Sequence, residues 1–384
     1  MDKRLVLIGG GHSHAIALKI WGLNPIPGVS LTLISDVEQT PYSGMLPGHV
    51  AGFYSYKETH IDLCSLSKFA QANLMIDRSI GLDLANNQVR LQNHDPIDFD
   101  YLSLDIGSTP NVIKGDSLIA IPGAKEYAIA AKPVPVFLNA WQKLLAEVSN
   151  HPEKPFSLVI VGGGAGGVEL ALNMQSRLKR EQGSRIEIHL IHRGNQLLSG
   201  HNYWVSQSLA KILLRRGIKL HLKQNVTAVF SDRISCESGL SINLSIKCDR
   251  VFWVTQATAP IWIKESGLTT DSQGFILVKD TLQSVSHPQV FAAGDIATMI
   301  NYQRPKAGVF AVRQGKPLVE NWRRIITGKL LEPYIPQRNY LALIGTGDKK
   351  AIASWSFFGW RSSLFWYFKD YIDRKFMKRF ENLQ

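Results

Sequence analysis

Two glycine clusters follow short apolar runs in this chain. The first run, Leu5-Val6-Leu7-Ile8, leads into Gly9-Gly10-Gly11-His12-Ser13-His14. The second, Leu158-Val159-Ile160-Val161, leads into Gly162-Gly163-Gly164-Ala165-Gly166-Gly167-Val168-Glu169. Each reads as a buried strand, a tight turn and the start of a helix. Such a turn holds phosphate for physical reasons. The first glycine permits the bend, the second lets backbone approach the anion, and the third lets helix and strand pack closely; the helix N-terminus then offers free N–H groups and a positive dipole end. Gly162, Gly164 and Gly167 complete the G-x-G-x-x-G spacing. Gly9 and Gly11 satisfy two of its positions, but His14 holds the third, so packing there is expected to be looser or rearranged. One such motif is weak evidence. Two copies, each strand-turn-helix, point to two dinucleotide sites.

The end of the strand after each loop should meet the adenosine ribose. In the first unit Leu31-Thr32-Leu33-Ile34 ends at Ser35-Asp36, and Asp36 is a candidate ribose ligand. In the second, Ile186–Ile191 ends at His192-Arg193-Gly194, with a cation where an acid is usual. That favours or tolerates a 2′-phosphate, so the cosubstrate is read as NAD(P)H. A surface arginine without a ligand is the equal alternative. Further on, His287-Pro288-Gln289-Val290-Phe291-Ala292-Ala293 reads as a short strand ending in Gly294-Asp295.

The order of these motifs carries a resemblance. First glycine loop, Tyr101-Leu102-Ser103-Leu104-Asp105-Ile106-Gly107-Ser108-Thr109-Pro110, second glycine loop, then Phe291–Asp295 resembles the two-dinucleotide flavoproteins of the pyridine nucleotide-disulfide oxidoreductase type. The resemblance implies FAD on the first unit and its late return segment, with NAD(P)H on the unit inserted between. It places Asp295 against the ribityl chain and Glu169 beside the nicotinamide; a helix-start glutamate stabilised by the dipole is the plainer reading of Glu169. Disulfide chemistry needs paired cysteines, whereas Cys64, Cys236 and Cys248 are widely spaced. What remains is similar to the type II NAD(P)H dehydrogenase and demethylphylloquinone reductase branch. The chain is also similar to the flavoprotein unit fused to selenophosphate synthase in some bacteria. Pro41-Tyr42-Ser43-Gly44-Met45-Leu46-Pro47-Gly48 resembles the segment beside the isoalloxazine. Pro305–Gly315 resembles the helix that caps the flavin and borders the quinone.

The implied FAD contacts are Gly9, Gly10, Gly11, His12, Ser35, Asp36, Pro47, Gly107, Gly294, Asp295, Ala307 and Val309. Those to NAD(P)H are Gly162, Gly164, Ala165, Gly167, Glu169, His192 and Arg193. Phe310, Arg313 and Gln314 would meet the quinone. Arg313-Gln314 stands where a glutamine pair is usual, and Gln256 where a glycine is usual. Lys306 and the N–H groups near Val309 are candidates for holding charge on a reduced flavin. No metal ligand set is evident.

Lys+Arg total 43 against 31 Asp+Glu, a formal net charge of +12. No zinc or helix-turn-helix signature supports a nucleic-acid partner. The last residues suggest another use for the charge. Phe365, Phe368, Ile372, Phe376 and Phe380 recur at helical spacing among basic residues, after Trp355-Ser356-Phe357-Phe358-Gly359-Trp360. This reads either as a helix packed on the protein or as an in-plane anchor on an anionic membrane. No run approaches the ~18 apolar residues of a membrane span, so a cytoplasmic protein peripheral to the membrane is expected.

The expected architecture is α/β, with two Rossmann-like domains. Residues 1–120 and 280–340 would form a discontinuous FAD domain, 121–279 an inserted NAD(P)H domain, and 341–384 a membrane-associating amphipathic helical region. The expected activity is hydride transfer from NAD(P)H to FAD and then two electrons to a membrane quinone, without proton pumping. Alternatives are a soluble NAD(P)H-flavin reductase with a non-quinone acceptor, or a non-enzymatic flavin-binding module. A second copy of the chain is a further candidate partner, as a homodimer.

Overall fold

The computed structural model describes residues 2–110, 121–182, 185–239, 243–255 and 257–383. Gln256 and segment 111–120 lie outside the described residues. Leu5 to Ile8 and Leu158 to Val161 are buried on both faces, as strands covered on both sides must be. Each is the central strand of a five-stranded parallel sheet. The first sheet runs, edge to edge, Val290–Ala292, Tyr101–Leu104, Lys3–Ile8, Val29–Ser35 and Asn73–Ile76. The second runs Ala128–Ala130, Arg250–Trp253, Phe156–Val161, Ile186–His192 and Lys219–Leu222. The four strands around each glycine loop repeat one order, as the twin loops imply, while the fifth, edge strand comes last in the chain in the first unit and first in the second.

Alternation along the second sheet separates its two faces. Leu158, Ile160, Ile188 and Leu190 join helix side chains in one core. Val159, Val161 and Ile191 face the antiparallel strands Asn225–Val229, Arg233–Glu237 and Asn243–Lys247. In the first unit, helix His12–Leu23 packs on helix Gly308–Ile326. The crossing is close because Gly315 has no side chain. A Cβ there would stand 2.6 Å from Ile16 Cβ and 2.9 Å from the Ser13 carbonyl oxygen.

One boundary and the makeup of the C-terminal stretch differ from expectation. Ala259, Ile263, Leu268, Phe275 and Ile276 pack in the first core, so the chain returns to the first unit well before residue 280. Their apolar side chains are buried against Leu82 and Val278 rather than against the second sheet. The C-terminal stretch is also not one appended helix. Ala342–Gly345, Ala351–Trp355 and Phe358–Ser362 form an antiparallel sheet, and only then does helix Ser363–Met377 begin. Trp355 pairs with Phe358 across a two-residue turn, with Ser356 at φ +52°. Ile344 and Ile352 join the second core, while Phe376, Met377 and Phe380 join the first. This stretch therefore clasps both units.

The crowding at the helix crossing gives a stability test. Gly315→Val should lower unfolding free energy by about 1–3 kcal/mol, the usual cost of overpacking. Chemical denaturation of the purified variant measures it, and an unchanged midpoint would show that the two helices separate freely.

Candidate functional site

Register brings the loop residues together. Ile8 pairs with both Ile34 and Leu104, and Leu104 with Ala292. Gly9, Ser35, Asp105 and Ala293 therefore leave the sheet side by side at the carboxyl ends of the strands, where open parallel sheets bind ligands. Asp105 lies at the centre and is 2% exposed. Its Oδ2 accepts the backbone N–H groups of Ser13 (2.7 Å) and His14 (3.0 Å), in the first turn of the loop helix. Its carbonyl accepts the Gly11 N–H at 3.1 Å. A Cβ on Gly11 would meet Asp105 Oδ1 at 2.4 Å, and one on Gly294 would meet it at 2.2 Å. Glycine at both positions makes room for this carboxyl. Burial pushes the Asp105 carboxyl up to about 7 against the hydrogen bonds from His14 and Ser13, and the charge of Asp295 adds to the rise.

His14 resolves the irregular third position of the loop. Its Nδ1 meets the Gly9 carbonyl at 2.7 Å and its Nε2 meets Ser103 Oγ at 2.9 Å. Packing is rearranged rather than looser, with two hydrogen bonds in place of close helix–strand contact. Burial lowers His14 to about 4, so the ring is neutral. His12 is lowered to about 4 by the same cause, and its buried Nε2 has no hydrogen-bond partner. The residues fit a dinucleotide. The His12 ring nitrogen is buried without a partner, the backbone of the glycine loop carries no side chain of its own, and a Cβ on Gly107 would meet nothing within 4 Å.

Asp295 is held by Lys132, whose Nζ lies 3.0 Å from its Oδ2, and Ser108 Oγ donates to the same oxygen at 3.0 Å. Burial raises this carboxyl, but Lys132 with its hydrogen bond, Ser108 and the Lys306 charge outweigh it and keep it below the usual value. The Gly294 N–H donates to Gln314 Oε1 at 2.7 Å. Lys306 turns inward: it donates to the Ala297 carbonyl (2.6 Å) and Thr298 Oγ1 (2.9 Å), 4.0 Å from the centre of the Phe275 ring. Burial lowers it to about 8. Lys306, Ala307, Phe310 and Gln314 line one pocket with Asp295; Arg313 is exposed and is not part of that lining. Val309 lies in the first turn of helix Gly308–Ile326. Ser35 Oγ is used locally, at the backbone of Val37. Asp36 is exposed just beyond it, and Pro47 is buried in the short helix Leu46–Val50. Gly10 abuts the Leu63 side chain.

The second crevice repeats this geometry. Val161 pairs with Ile191 and with Trp253. By register His192 therefore stands where Ser35 does, Arg193 where Asp36 does, and Val254 where Asp105 does. A Cβ on Gly167 would lie 1.8 Å from the Gly162 carbonyl oxygen, so the third glycine brings helix onto turn as the spacing implies. Gly164 faces open space, and Ala165 begins the helix Ala165–Gln182. His192 Nδ1 accepts the Gly163 N–H at 3.2 Å and so braces the loop; burial lowers its pKa. Arg193 is exposed beside it.

Glu169 points toward the C-terminal stretch. Its Oε1 accepts the Gly345 N–H at 2.7 Å. Burial raises this carboxyl to about 7, opposed by the Lys369 charge and by the Gly345 hydrogen bond. Lys369 Nζ sits 2.6 Å from both the Gly44 carbonyl and Asp373 Oδ2, and Tyr42 donates to Asp373 Oδ1 at 3.1 Å. The Tyr42 ring stacks on Phe376 at 4.5 Å and meets His12 edge-on at 5.3 Å. Both crevices thus abut helix Ser363–Met377. Asp105, Lys132, Ser108, Lys369 and Asp373 were not singled out from the sequence. The available signal was Asp105, an acid closing the apolar run Leu102-Ser103-Leu104.

The comparisons agree with this geometry. The family model described as pyridine nucleotide-disulphide oxidoreductase matches residues 3–315. The chain is 25% identical to the NADH dehydrogenase-like protein YutJ of Bacillus subtilis over 352 residues, 91% of each chain. It is 28% identical over 219 residues to the demethylphylloquinone reductase NdbB of Synechocystis, covering 56% of this chain and 51% of that one. Its fold matches the structure of NDH2 from Plasmodium falciparum in complex with NADH, with TM-score 0.83 and 16% identity over 98% of this chain and 97% of the other.

A carboxyl raised from 4.5 to about 7 binds its proton more tightly folded than unfolded. Its contribution to stability is greatest below 4.5 and is lost as pH rises through about 7. Glu169→Gln keeps the acceptor for Gly345 and removes this loss. In ligand-free protein the substitution should raise the thermal midpoint near pH 8 and leave it little changed near pH 4.5. An equal effect at both pH values would contradict the raised carboxyl.

Proposed function

The chain belongs to the pyridine nucleotide-disulphide oxidoreductase family, oxidoreductases that use FAD and NAD(P)H, and from that premise we propose an NAD(P)H:quinone oxidoreductase that works through FAD at a membrane surface. FAD is assigned to the crevice around Gly9, Gly11, Asp105 and Gly294, and NAD(P)H to the crevice around Gly162, Gly164 and Gly167. When bound, FAD supplies the redox chemistry, taking two electrons from NAD(P)H and passing them to the acceptor. The protein's own residues position and shield. Asp36 and Asp295 serve as acceptors for hydroxyl groups of FAD, and Lys132 keeps the Asp295 carboxylate charged and fixed. Arg193, where the other unit has Asp36, suits a 2′-phosphate and leaves room for NADPH beside NADH. Glu169 and Lys369 offer an exchangeable proton and a charge where the second crevice meets the C-terminal helix. Lys306 contributes positive charge from one side of the pocket. Its inward hydrogen bonds make it a structural cation first.

The single observation that carries the quinone reading is the apolar surface beside the two crevices. Phe357 is 90% exposed and Leu364 75%, with Trp355, Trp360, Tyr367, Phe368 and Tyr371 also exposed around them. Exposed aromatic and apolar side chains on one strand pair and the helix after it suit insertion at a lipid interface, where a lipid-soluble quinone would be met. Among the described residues no helix is long and apolar enough to cross a membrane. Charge plays a smaller part than the sequence alone implies. Of the six basic residues from Arg361 onward, Arg361 pairs with Asp348, Lys369 with Asp373, and Arg374 with Glu58 and Asp370. Cys64, Cys236 and Cys248 are free, the latter two buried in the second unit, so no cysteine pair serves the first crevice.

Two experiments follow. Purified protein with FAD should oxidise NADH or NADPH at a rate that depends on an added naphthoquinone or plastoquinone analogue; turnover only with soluble non-quinone acceptors would favour the soluble flavin reductase. Phe357→Asp with Trp360→Ser should weaken sedimentation with anionic vesicles at least about tenfold, since burying one large apolar side chain contributes ~1.5–3 kcal/mol. Unchanged sedimentation would remove the membrane surface from the proposal. These point changes test it more cleanly than deleting 361–384, which strips Phe376, Met377 and Phe380 from the first core.

A further inference from the structure

We infer that Asp105 couples FAD binding to the uptake of one proton, because the first glycine loop already holds a carboxyl where the pyrophosphate must bring its charge. This rests on the assignment of FAD to that loop. The geometry begins with the donors. Asp105 Oδ2 occupies the N–H groups of Ser13 and His14, two of the free donors a helix N-terminus offers to an anion. Its other oxygen lies between Gly11 and Gly294, in the space those residues leave open.

No ion pair reaches Asp105 among the described residues. From the loop helix it meets Ser13 and the neutral His14, and His12 of the same turn is neutral too. From the turn after Val290–Ala292 it faces Asp295, a like charge. Lys132 and Lys306 are committed to Asp295 and to Ala297 with Thr298 respectively. From helix Gly308–Ile326 the nearby polar group is the uncharged amide of Gln314, held by the Gly294 N–H.

The second unit serves as an internal control. Its register places Val254 where the first has Asp105, so the NAD(P)H loop meets its anion without a carboxyl. The requirement is thus specific to the FAD loop. A pyrophosphate brought to this dry helix end repels an ionised Asp105 and favours its neutral acid. The proton comes from solvent and stays on the carboxyl while the dinucleotide is bound. If Asp105 were only a fixed cap for the helix, it would keep one protonation state throughout.

Calorimetric titration of apoprotein with FAD near pH 7.5, in buffers of different ionisation enthalpy, counts the protons. The wild type should take up between about one half and one proton per FAD, and its Kd should weaken roughly tenfold between pH 7 and pH 8.5. Asp105→Asn should bind FAD with near-zero uptake and a flat pH profile; Asp105→Ser gives the same readout should the first variant misfold. Tight FAD binding by wild type with no proton uptake overturns the inference, as does equal uptake in wild type and both variants. Absence of FAD binding by wild type at every pH overturns the FAD assignment instead, and the inference falls with it.

Discussion

The contact between Asp105 and the start of helix His12–Leu23 is the one on which the remaining architecture depends. A parallel strand and the helix after its neighbour can approach this closely only where Gly11 and Gly294 yield space. That approach fixes the helix axis, and the helix in turn fixes Gly308–Ile326 through the crossing at Gly315. Phe310 and Gln314 reach the pocket because of that placement, and Gln314 closes the circuit by accepting the Gly294 N–H. A buried carboxyl without a cation is costly in isolation. Here it is tolerated by two backbone donors and by a proton affinity shifted well above the usual range.

The same physics recurs at the junction of the two units. Glu169, Lys369, Asp373 and Tyr42 form a chain of polar side chains that brings a helix from the end of the sequence onto both loops. Buried polar groups persist when each has a partner: Lys369 and Asp373 pair along the helix, and Lys369 to Gly44, Asp373 to Tyr42 and Glu169 to Gly345 cross between elements. The C-terminal stretch thus has two unlike surfaces. Phe376, Met377 and Phe380 anchor it in the first core, and Phe357, Leu364 and Tyr367 stand in solvent.

Much of this was legible in the sequence. The twin apolar runs and glycine loops gave both sheets and both crevices, because strand burial and turn geometry are local properties of residue type. Gly167 behaves as its spacing implies, and Asp36 and Arg193 occupy matching places. What escaped were residues that matter through distant partners. Lys132 is unremarkable beside Pro133 until the fold brings Asp295 to it across 163 positions. Lys369 and Asp373 read as the polar face of an amphipathic helix, since an i,i+4 pair is the ordinary appearance of a solvated surface. Of the helical stripe from Phe365 to Phe380, Phe368 and Ile372 are exposed and Phe376 and Phe380 buried, because periodicity identifies a face without naming what covers it. Trp355–Arg361 is the turn and flanks of a hairpin, with Trp355 paired to Phe358 across it.

If the two crevices hold FAD and NAD(P)H as assigned, electrons must cross from one to the other and then leave. Anaerobic stopped-flow of the FAD-loaded protein follows both steps in the flavin absorbance. Rapid bleaching by NADH or NADPH, reversed on mixing with a naphthoquinone or plastoquinone analogue, is the expected result. Persistent flavin absorbance with both nucleotides would contradict it and leave a flavin-binding module without this activity.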